Sequence, residues 1–142
     1  MIRILPVALL LAACSAQPER TRIDSASLEV DAQGGLREGV GIAAGSRLVM
    51  VLERGCRLPC TATQTLRAAA GGQDAVGFML YQGAGDEVAT ARALGTFRVP
   101  TDGNAPGTHE VEVTFVAERG GAFVSAAGKP DGRPLAVVRM EP

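Results

Sequence analysis

The chain has 142 residues, 14 basic and 15 acidic side chains, a formal net charge of −1 and no tryptophan. Acids and bases are interspersed, which argues against a basic surface built for nucleic acid or an anionic membrane. Aromatic residues make up only 4% of the chain, too few for platforms that stack sugars or bases.

The first stretch, "MIRILPVALLLAAC", places Arg3 before an apolar run over residues 4–13. That run is too short to span a bilayer as a permanent helix, and it reads as an export signal. Its end, "LAAC" at 11–14, resembles the bacterial lipoprotein signal, with an ordinary secretory signal cleaved nearby as the other reading. The resemblance implies that residues 1–13 are removed and that Cys14 is lipidated and becomes the mature N-terminus. More than one acyl chain there would hold the protein on a membrane. Ser15 after the cysteine implies sorting to the periplasmic face of the outer membrane, with the inner membrane as the alternative. Residues 14–26, including the polar "SAQPERTR", are expected to form a tether, and residues 27–142 a single domain.

Within the domain the apolar runs are short and separated by glycine-rich turns, a pattern of strands. In chain order the predicted strands are "SLEV" (27–30), "GVGI" (39–42), "RLVMVL" (47–52), "TATQTLRA" (61–68) and "AVGFMLYQG" (75–83). Then come "GTFRV" (95–99), "HEVEVTFVA" (109–117), "AFVSA" (122–126) and "LAVVRM" (135–140). The strict alternation in 109–117 puts Val111, Val113 and Phe115 on one face, with Glu110, Glu112 and Thr114 on the other. The stretch 86–94, "DEVATARAL", reads as a helical turn or equally as loop. About eight strands with turn signals between them predict an all-β fold, a sandwich or a barrel.

Chemistry-bearing patterns are sparse. "GVGIAAG" resembles a dinucleotide loop, but its third glycine, Gly45, comes one residue late, and a strand pattern follows where a helix is needed. No nucleotide is expected. His109 is the lone histidine, at a strand start, so neither a triad nor a metal site is expected, and the protein reads as a non-enzyme without cofactors. Cys56 and Cys60 lie in "CRLPC". An extended chain would hold their Cα atoms roughly 13 Å apart, so a bond needs a reversal, which Pro59 favours. A structural disulfide is the first reading; free thiols, or a redox or metal role, are the others.

From about residue 40 to 140 the chain resembles the substrate-binding β-sandwich of the seventy-kilodalton heat-shock chaperones, the DnaK type. The segments fall in order. "VGI" at 40–42 is similar to the family's "LGIE", and in 47–66 Leu58–Pro59 stand where the family has Ile-Pro. "QDAVGFMLYQG" at 73–83 resembles "Q-x-x-V-x-I-x-V-x-Q-G", and "LGTFRV" at 94–99 resembles "L-G-x-F-x-L". "APGTHEVEVTF" at 105–115 and "GGAFVSAAGKPDG" at 120–132 are similar to the family's later strands, each one residue shorter.

The resemblance implies a peptide held extended between loops at one end of the sandwich, with one side chain in an apolar pocket. Ile42, Leu66, Val76 and Phe78 fall at the pocket-lining positions. Ala69 falls on the arch over the peptide, Gln73 on the loop beside it, and Ala44 near the second arch position in the shorter turn "AAGS". No ATPase domain or helical lid is expected in this length, so binding would be ATP-independent, with fast release and micromolar or weaker affinity. The expected partners are extended apolar segments of unfolded or envelope proteins, with the membrane reached through the lipid. The rival expectation is an assembly module that keeps the sandwich but binds one envelope partner through a surface patch.

Overall fold

A computed structural model describes residues 19–23, 28–67, 75–101, 110–129 and 132–140. Ten antiparallel strands form two sheets packed face to face, the expected β-sandwich. They are β1 (Thr21–Ile23), β2 (Gly39–Ala44), β3 (Arg47–Leu52), β4 (Cys60–Arg67) and β5 (Ala75–Gly83), then β6 (Arg92–Pro100), β7 (Glu110–Glu118), β8 (Gly121–Gly128), β9 (Pro134–Leu135) and β10 (Val138–Met140). The first sheet runs β1-β8-β7-β4, with β9 also on β8; the second runs β10-β6-β5-β2-β3. Strand β7 shows the period-two burial its sequence predicts, with Val111, Val113, Phe115 and Ala117 inside.

Three aromatic rings bridge the sheets. Phe78 of β5 stacks on Phe97 of β6 at 5.5 Å and meets Phe115 of β7 edge-on at 6.0 Å. Val76, Leu80, Val99 and Val124 fill the space around them. The hairpin between β2 and β3 turns at Gly45, whose φ of +66° suits glycine. The chain then crosses from the second sheet to the first through residues 53–59. Cys56 and Cys60 are disulfide-bonded there, their Cα atoms 6.1 Å apart, so the reversal required by an intact bond is present.

Four local expectations are corrected. Thr21–Ile23 is not tether: it pairs with Ala122–Val124 of β8, because Ile23 is buried in the core and Thr21 Oγ1 donates to Val137 O. The domain therefore begins before residue 27. Leu28–Val30 forms no strand beyond a single bridge to Leu36, because Asp31 Oδ1 accepts from Gln33 N and Gly35 N and folds the chain into a turn. The stretch 86–94 holds a 3₁₀ turn at Val88–Thr90, but β6 starts at Arg92 rather than at residue 95, since a register shift beside Leu80 lets Tyr81 and Gln82 pair with Ala93 and Arg92. Residues 135–140 are not one strand. Pro134–Leu135 pairs with β8, Val138–Met140 pairs with β6, and the chain changes sheets between them.

Candidate functional site

The second sheet opens at the end that carries the β2–β3 turn. The ladder between β2 and β5 stops at the pair Ile42–Leu80, although β5 begins five residues earlier, at Ala75. Beyond that rung β2 stays with β3 as far as Ala44–Arg47, while β5 stays with β6 as far as Ala75–Pro100. Small residues, Ala43, Ala44 and Gly77, stand on either side of the gap, and among the described residues no bulky side chain fills it. The result is a cavity of about 250 Å³, walled by β2, β3 and β5 of one sheet and β4 of the other.

Five residues that the chaperone resemblance singles out meet here: Ile42, Ala44, Leu66, Val76 and Phe78 all line the cavity. Val76 and Phe78 lie two apart on the inner face of β5 and are buried, and Ile42 is buried opposite them. Leu66 enters from β4, where it pairs with Val111. Ala44 lies at the exposed rim. Ala69 and Gln73 fall outside the described residues, as do Cys14 and His109.

Sequence reasoning missed Val49, Gln64 and Arg67, which also line the cavity. Plain alternation in "RLVMVL" would put Leu48, Met50 and Leu52 together. A register shift between Val40 and Gly41 breaks that alternation. Leu48 and Met50 lie beside Gly41, outside the inter-sheet core, while Val49 pairs with Ile42 and reaches the cavity at 47% exposure. Gln64 follows from the inward period of β4, and only its polarity hid it.

The rim is electrically balanced. Arg47 pairs with Asp86 at 3.2 Å, and Arg67 pairs with Glu110. Among the described residues the interior is apolar apart from Gln64, so the cavity can take one uncharged aliphatic or aromatic side chain. Two larger grooves of about 500 Å³ lie elsewhere. One, over the turn at Asp31–Gly34, includes Arg57 and Arg119; the other crosses Met79, Tyr81 and Met140 on the outer face of the second sheet. Neither shares the cavity's floor of Ile42, Val76 and Phe78. Among the described residues, no three His, Cys, Asp or Glu side chains gather as metal ligands. No helix among them is long and apolar enough to cross a membrane. No protein-family profile matches the chain.

Proposed function

We propose that this protein is a lipid-anchored periplasmic β-sandwich, similar to the substrate-binding domain of DnaK-type chaperones. It binds extended apolar polypeptide segments without ATP, as a holdase or adaptor. The observation that carries this reading is the apolar cavity between Ile42, Leu66, Val76 and Phe78, where the β2–β5 ladder ends. A neighbouring polypeptide would place one leucine-like side chain against these four walls. The anchor is Cys14 and the location the outer membrane, both read from the leader sequence.

The test is titration of a labelled neutral heptapeptide with one central leucine into the protein, with Val76→Phe as the filled-cavity control. Saturable binding that the variant loses by tenfold or more supports the pocket. Equal weak binding by both proteins removes it.

A second reading has its own observation. Met79, Val138 and Met140 are each more than 40% exposed, and Met79 and Met140 share one groove on the outer face of the second sheet. A module that docks one envelope partner would use such a face. Cross-linking in cells separates the two: many clients favour the cavity, and one recurrent partner favours the outer face.

A further inference from the structure

We infer that a bound segment lies as an added strand along the outer edge of β4, with every second residue facing the inter-sheet space and one of them entering the cavity. This rests on the peptide-binding reading above and names how the backbone is held.

Of the four sheet edges, three are short or covered. Strand β8 carries β1 and β9 end to end on its outer side. The edge at β10 is three residues long. The edge at β3 is capped where it nears the cavity: Leu48 N donates to Asp86 O, and Arg47 bridges Glu87. Strand β4 is eight residues long and, among the described residues, pairs only with β7. No backbone hydrogen bond leaves its other side among the described residues. A long, bare edge is a template for another extended chain.

This edge borders the cavity. Gln64 and Leu66 are inward residues of β4 that line it, and Val49 lies across the seam on β3, the edge strand of the other sheet. The gap between β2 and β5 is the rival location, because among the described residues Ala75–Met79 also lack ladder partners on that side. It is the poorer template: only five residues of β5 are open there, against eight on β4. The backbone is therefore placed on β4, with one side chain reaching the cavity.

The rim selects the occupant. Strand β4 has one charged residue, Arg67, already matched by Glu110, and Arg47 across the seam is matched by Asp86. A neutral apolar segment complements such a rim better than a charged one. A second copy of this chain fits worse, because the inward residues of its own β4 belong to its own core and would leave the cavity empty.

The experiment uses the whole protein and the central-leucine heptapeptide. Amide hydrogen exchange is followed by NMR with the peptide at 100 times its Kd. Alternate amides of Cys60–Arg67, those not bonded to β7, should slow by up to about 100-fold, and those of Ala75–Met79 should not change. N-methylating the peptide one residue at a time should weaken binding about tenfold at every second position. Protection confined to Ala75–Met79, or an N-methyl scan without a period of two, overturns the edge placement and leaves the pocket standing. Protection of β4 in the protein alone, with a dimer mass in sedimentation, assigns the edge to a second copy and also overturns it. Absence of binding, or binding indifferent to Val76→Phe, removes the pocket and the edge placement together.

Discussion

Phe78 should act as both core residue and cavity floor, and truncation can separate the two roles. Its ring is 5% exposed, stacks on Phe97 at 5.5 Å, meets Phe115 at 6.0 Å and borders the 250 Å³ cavity. Replacing a buried phenylalanine by alanine costs about 3–5 kcal/mol. A domain of this size has roughly 5–15 kcal/mol in hand, so Phe78→Ala should still fold in the cold. Phe97→Ala is the matched control. That ring is fully buried, breaks the same stack and does not line the cavity, so its cost should fall in the same range. Urea unfolding gives both values. Binding tells them apart, because only Phe78→Ala enlarges the cavity. Competition between heptapeptides with a central leucine or phenylalanine should shift toward phenylalanine by about tenfold, or 1.4 kcal/mol, in Phe78→Ala and stay unchanged in Phe97→Ala. An unaltered ratio in Phe78→Ala, or an equal shift in both, would refute the cavity as the selecting element.

Two further outcomes concern stability alone. Replacing Cys56 by serine and Cys60 by alanine removes a very short closed loop, worth about 2 kcal/mol by the chain-entropy relation, and calorimetry should show a correspondingly lower Tm. Gly35→Ala should cost about 1–3 kcal/mol, read as a lower urea midpoint at unchanged slope, because the added Cβ would lie 2.9 Å from the backbone oxygen of Gly55. That oxygen cannot easily yield, since Gly55 N is itself bonded to Leu36 O at 2.8 Å.

The sequence made the fold class and several inner faces legible wherever a strand ran long enough to show its period. Strand β7 is the clearest case: alternation named its buried residues, and the structure agrees. The failures have a common cause, which is that pairing partners are invisible in a single chain. Thr21–Ile23 is too short to show a period, and only its docking on β8 makes it a strand. The shift at Val40/Gly41 turns Val49 inward without leaving a mark in "RLVMVL". The sheet change within residues 134–140 depends on β8 and β6 both being in reach. The cavity residues emerged differently. Spacing alone put Val76 and Phe78 on one face, but it offered no means to join them to Ile42 and Leu66, which came from the chaperone resemblance.

In the proposed complex the energetics would divide the work between cavity and edge. Burying one leucine or phenylalanine side chain contributes about 1.5–3 kcal/mol. Micromolar affinity needs about 8 kcal/mol, and association costs at least about 4 more before any contact counts. The cavity alone thus falls far short of holding a peptide. The β4 edge has eight residues, of which every second one turns its N–H and C=O outward, so an added strand can form up to eight hydrogen bonds. At about 1 kcal/mol each, these are the larger contribution. They carry no sequence information, because every residue except proline offers the same groups. The cavity supplies what the edge lacks. A slip of one residue turns the inward side chain to the outer face, so filling the cavity fixes the register of the whole strand. A protein built this way would accept many extended segments and insist only on one apolar residue at one place, the behaviour a holdase requires.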